Sequence, residues 1–107
     1  MPAAFSTSVD EGKDVLVAQP CVMSVMHFLN ADASIRYIQL FDANDIADVT
    51  LGTTPPFYVC HMGVSAGGTV IFPRGLAFTT GIVACATTTP SGNTGVTADA
   101  FVSIVWD

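Results

Sequence analysis

Gly63-Val-Ser-Ala-Gly67 matches Gly-x-Ser-x-Gly, the pattern of a nucleophile elbow, in which a serine sits on a strained turn between a strand and a helix. That chemistry needs a histidine later in the chain to take the serine proton. Both histidines, His27 and His61, precede Ser65, and the residues after Gly67 carry no helical pattern. The stretch is therefore expected to be a tight turn, with Gly67 and Gly68 supplying positive φ angles. His27 and His61 lie in strand-like runs, and with Cys21 or Cys60 they could meet at a metal, but no ligand spacing supports one. Satisfied core or interface histidines are the expectation.

Asp42, Asn44, Asp45 and Asp48 form a small acidic cluster, yet the EF-hand spacing breaks at Ile46 and the loop lacks its glycine and terminal glutamate. A solvated helical turn capped by Asp42 accounts for these residues better. Glu11 is the single glutamate, so paired-carboxylate glycosidase chemistry has no distinguished pair to work with. Three widely spaced cysteines, Cys21, Cys60 and Cys85, form no Cys-x-x-Cys motif and read as small buried thiols rather than a disulfide framework or zinc ribbon. No catalytic residue, metal or cofactor is expected, and the chain reads as a non-enzyme.

The elements that would position these residues are short. Asp14–Gln19 is a β-branched run stopped by Pro20; Cys21–Leu29 and Ser34–Phe41 read as two strands of a hairpin joined at Asn30–Ala33. In the second run Ile35, Tyr37, Gln39 and Phe41 alternate with Arg36, Ile38 and Leu40, which predicts a strand covered on both faces. Asp42–Pro56 is the longest early connection. Phe57–Met62 and Thr69–Phe72 flank the glycine-rich turn, Leu76–Thr79 and Gly81–Thr87 follow, Thr88–Gly95 is a loop by composition, and the chain closes on Phe101–Trp106. Seven or eight short strands without a long helical period predict one all-β domain, a β-sandwich or barrel, over residues 13–107. Residues 1–12 show no periodicity and read as a flexible N-terminal arm.

Composition bears on partners. The chain has 107 residues, of which 50% are apolar and 11% charged, and its net charge is -6. Typical soluble domains carry roughly 25% charged residues, and a domain this small cannot bury all of its apolar surface alone. The surplus predicts contact with other chains. The negative charge disfavours direct nucleic-acid binding, and no apolar run is long enough for a membrane-spanning helix. The first residues lack a basic start and apolar stretch, so synthesis in a cytoplasm is expected.

The stretch Met26-His-Phe-Leu-Asn-Ala-Asp-Ala-Ser-Ile-Arg-Tyr-Ile-Gln-Leu-Phe-Asp-Ala43, with Thr69-Val-Ile-Phe-Pro73 and Leu76-Ala-Phe-Thr-Thr-Gly-Ile-Val83 after it, resembles small virion proteins of tailed phages and prophages, which implies an antiparallel β-sandwich of jelly-roll-like form. It carries their pattern N-x-x-A-S-x-R-Y-x-Q-L-F-D-A followed by F-x-T-G-I. The resemblance spans about Val15 to Trp106. The better understood members of this group look like jelly-roll decoration, or cement, proteins. It implies a structural protein made in the bacterial host cytoplasm and carried on the outer capsid surface of the virion. There it would bind the major capsid protein as a homotrimer and stabilise contacts between capsomers. Phe5 on the arm, Arg36, Arg74, Phe78 and Trp106 are the residues expected at interfaces, Arg74 being the exposed cation and Arg36 having Asp32 and Asp42 as acidic neighbours. A different class is a carbohydrate- or receptor-binding module on a phage head or tail, using loops Asp42–Pro56 and Thr87–Gly95.

Overall fold

A computed structural model describes residues 13–92 and 100–107 in full and residues 3–9 as backbone. Eight strands run through these residues: β1 (Ala3–Val9), β2 (Asp14–Val17), β3 (Cys21–Asn30), β4 (Arg36–Asp42), β5 (Tyr58–Met62), β6 (Gly67–Phe78), β7 (Ile82–Thr87) and β8 (Ala100–Trp106). They form two sheets, the first ordered β1-β8-β3-β6 and the second β2-β7-β4-β5. Every pairing is antiparallel. Four pairs nest inside one another in sequence: β1 with β8, β2 with β7, β3 with β6 and β4 with β5. That nesting is a jelly roll, a double-sheet form.

One local expectation fails. Cys21–Leu29 and Ser34–Phe41 are strands, but they do not form a hairpin, because β3 lies in the first sheet and β4 in the second. The strands either side of Gly63–Gly68 likewise belong to different sheets. Both links arch across the edge of the sandwich. Asn30, fully buried, ties the arches together. Its Nδ2 donates to the carbonyls of Ser34 and Gly63, both at 2.9 Å, and its backbone N–H donates to Ala66 at 2.8 Å. Local turn chemistry marks that the chain reverses; it does not say whether the next strand pairs with the last.

The arm is also corrected in part. Ala3–Val9 is a strand on the edge of the first sheet, with Ala3 opposite Val105 and Phe5 opposite Ser103. Its small residues lack alternation, and the free edge of β8 decides its conformation. Residues 1, 2 and 10–12 of the expected arm lie outside the described residues.

The main core fills the space between the sheets. Met23 and Met26 of β3, Ile38 and Leu40 of β4, and Val102 and Ile104 of β8 are buried there, with Val70, Phe72 and Trp106 packed against them. A second, smaller core lies on the outer side of the second sheet, where Phe41, Val83 and Cys85 meet Ala43 and Val49. The alternation in β4 therefore has the predicted result: Ile38 and Leu40 face one core, Gln39 and Phe41 the other side, and all four are buried.

Candidate interaction surface

The segment between β4 and β5 folds back over the second sheet and roofs it. Asp45 begins this roof, its side chain accepting from the Ala47 N–H at 3.0 Å and capping a single 3-10 turn, Ile46–Asp48. A helical turn was expected here, but with Asp42 as its cap; Asp42 is used elsewhere. Its Oδ2 accepts from the N–H and hydroxyl of Thr79 at 3.0 and 2.8 Å, and its Oδ1 accepts from those of Thr80 at 2.9 Å each. Burial alone would raise this carboxyl's pKa, but the four hydrogen bonds outweigh it and hold the group well below the usual carboxylate range. Next to it Gly81 has no room for a side chain: an added Cβ would strike the carbonyl oxygens of Val17 and Ala43. Two distant segments, residues 30–43 and 76–83, thus meet. Asp42 and Ala43 from the first lock onto Thr79, Thr80 and Gly81 from the second, with the Ala43 N–H donating to the Gly81 carbonyl at 3.2 Å.

Lys13 ties down the middle of the roof by donating to the Val49 carbonyl. Further along, buried Gln39 donates through Nε2 to the Thr87 hydroxyl at 2.7 Å and the Gly92 carbonyl at 3.1 Å, fixing the start of the β7–β8 loop. Cys85 sits beneath this cover. Burial pushes its thiol up to about 12, and Lys13 and Gln39 only partly offset that. Cys21 and Cys60 are raised by burial as well, so none of the three thiols is poised as a nucleophile. A cleft of about 380 Å³ opens at the margin of the roof, walled by Phe41, Val49, Pro56 and Phe57 with Asp42 and Asp48 at its rim. Both Asp42 oxygens are already engaged by Thr79 and Thr80, so this carboxylate is not free to orient a ligand in the cleft.

The serine of the elbow-like pattern and both histidines are each engaged locally. Ser65, on the elbow-like turn, has φ 47°, so the positive φ falls on the serine and not on Gly67 or Gly68, which begin β6. No helix follows. Ser65 is bound to the neighbouring arch, its N–H donating to the Asp32 carbonyl at 2.9 Å and its hydroxyl reaching the same oxygen at 3.4 Å. His27 hydrogen-bonds Thr69 through Nδ1 at 2.9 Å, while His61 packs edge-on against Tyr37 with ring centroids 5.4 Å apart. Among the described residues no three His, Cys, Asp or Glu side chains group as a metal site.

Of the expected interface residues, Phe78 is misplaced: it is 2% exposed, in the main core, with Phe57 stacked over it at 4.9 Å between centroids. Trp106 faces the same core and is half-buried. Arg36 pairs with Asp32 at 3.1 Å, an intramolecular bond that braces the β3–β4 arch. Arg74 is exposed, in an irregular stretch of β6. Phe5 lies on β1, and its side chain falls outside the described residues, as do 93–95 of the expected binding loop.

What the sequence did not mark is the outer face of the first sheet. Ile71 is 66% exposed there, Leu29 45%, Val22 40% and Phe101 37%. Register aligns these residues into rows: Leu29 lies between Phe101 and Gly67, His27 between Ser103 and Thr69, and Val25 between Val105 and Ile71. No roof covers them in the described residues, and none of these side chains is acidic or is a lysine or arginine. The available signal was the run Thr69-Val-Ile-Phe72, apolar at adjacent positions, as strands covered on both faces are. No protein-family model, curated protein or solved structure matches this chain.

Proposed function

We propose that this chain is a structural virion protein of a tailed phage, a capsid decoration protein that binds the outer head surface and stabilises contacts between capsomers. The observation that carries the proposal is an apolar sheet face, free of charged side chains in the rows from Leu29 to Val25, on the outside of a jelly roll. Such a face is costly on a free-standing monomer and useful on a subunit. Jelly rolls recur in viral capsid proteins, which supports the proposal by analogy of fold only. The motif residues support it in another way. Asn30, Asp32, Arg36 and Asp42 brace arches and loops, as a scaffold requires, and do not converge on a substrate. A decoration protein acts by mass action, since contacts made only in the assembled shell stabilise that shell.

Quantitative mass spectrometry of purified virions from a phage encoding this chain tests the proposal. The expected result is a copy number in fixed proportion to the major capsid protein, with the protein released when heads are stripped. Its absence from virions overturns the proposal.

A further inference from the structure

We infer that the outer face of the first sheet is where two copies of this chain meet, packed face to face about a twofold axis running along β3. The inference goes beyond the decoration role, and it replaces the threefold closure implied by the resemblance with a twofold one.

β3 lies inside the four-stranded sheet, with β8 on one side and β6 on the other, and β1 lies beyond β8 at the far edge. A twofold rotation about an axis along β3 exchanges β8 and β6 and leaves each row at its own height. Isologous contacts of this kind require one patch to complement itself, residue i meeting j while j meets i. The rows meet that requirement. Phe101 of one copy stands over Gly67 of the other, a large side chain over none. Ser103 faces Thr69, hydroxyl to hydroxyl. Val105 faces Ile71, the most exposed large apolar residue of the face. Leu29, His27, Val25 and Val22 line the axis and meet their own counterparts. Aligned sheets pack with strands within about 30° of one another, which a small tilt of the axis from β3 supplies.

Charge argues for a second copy as the occupant. At a net charge of -6, copies repel unless they meet where charge is absent or balanced. The rows from Leu29 to Val25 carry no carboxylate, lysine or arginine. At the Val22 end the face is flanked by one of each sign. Asp107 pairs with Val22 through its backbone on the β8 side. On the β6 side the stretch Pro73-Arg74-Gly75 rises to the level of the face, because Gly75 lies against Val22 so closely that a Cβ there would collide with it. Arg74 is exposed in that stretch and has no ion pair within its own chain among the described residues. Exchange of β8 and β6 sets Arg74 of each copy against Asp107 of the other, twice per dimer.

Size-exclusion chromatography with light scattering on the full chain, across a concentration series, gives the test. The wild type should run as a dimer at high concentration. Ile71→Lys places a like charge in each half of the interface and should weaken association by at least about tenfold, while circular dichroism shows the fold unchanged. Arg74→Asp alone and Asp107→Arg alone should each weaken the dimer several-fold, and the two together should restore it, because the swap recreates both pairs. A wild type that stays monomeric, or forms a trimer, overturns the inference. So does a dimer insensitive to Ile71→Lys, or a charge swap that fails to restore association. A monomer that attaches only to capsid shells assigns the face to the shell and also overturns it. Virions that carry the protein while it is monomeric in solution would leave the decoration role standing, and a dimer absent from virions would do the reverse.

Discussion

Phe41, Val83 and Cys85 on the outer side of the second sheet are sealed, whereas Val22, Leu29 and Ile71 on the outer side of the first are open to solvent. Both faces are built from apolar strands of similar composition. The difference lies in the connections. β4 and β5 are adjacent strands of the same sheet, yet the segment between them runs from residue 43 to 57, long enough to fold back and bury Val49 on Phe41 and Cys85. The arches beside the first sheet are short and are consumed in crossing from one sheet to the other. An apolar face is thus covered within the chain where loop length allows, and among the described residues stays open to solvent where it does not.

The comparison breaks first at the roof. Phe41→Ala should cost about 3 to 5 kcal/mol in urea unfolding, since it removes the largest side chain of the second core and leaves a cavity under the loop. Removal of the clamp should come next. Asp42→Ala leaves the N–H groups of Thr79 and Thr80 without their carboxylate and should cost about 2 kcal/mol at neutral pH. The folded carboxyl lies below its unfolded value, so its contribution is full above the ordinary aspartate range, near pH 4, and drains away as pH falls below it. Wild type and Asp42→Ala should therefore converge in stability in acid; a constant gap down to acid would show that the clamp works through packing instead.

Cys85→Ser exchanges a buried thiol for a hydroxyl and should cost about 1 to 2 kcal/mol. In the native wild type, maleimide should label none of the three cysteines without unfolding, and rapid native labelling of Cys85 would show that the roof opens. The smallest effect belongs to the open face. Ile71→Ser should change monomer stability by less than about 0.5 kcal/mol, because that side chain is mostly solvated before the change. A loss as large as that of Phe41→Ala would mean the first sheet is not open at all.

Strand positions were largely legible, because period-two alternation and Gly or Pro punctuation are local. β4 even announced its burial on both sides. The nested pairing was not legible, because β3 pairs with β6 and β8 across long separations and no turn residue encodes a distant partner. Asp42 shows the same limit at the scale of one side chain. As a capping residue it was assigned to the turn that follows it, but its partners stand 37 and 38 residues further on. Phe78 was assigned to an interface by its aromatic type, and its place in β6 turned it into the core.

By itself the sequence determined an all-β sandwich, a shortage of charge and the lack of a workable serine-histidine order, because composition, alternation and chain order are properties of the string. Only the tertiary structure decided which apolar residues are hidden. Val49 and Ile71 are both β-branched residues; one is covered by the sheet beneath its loop, and the other faces outward from an edge strand of a sheet that no loop covers among the described residues. Burial is a relation between distant segments, and the strand order that sets it is closed by contacts no local pattern contains.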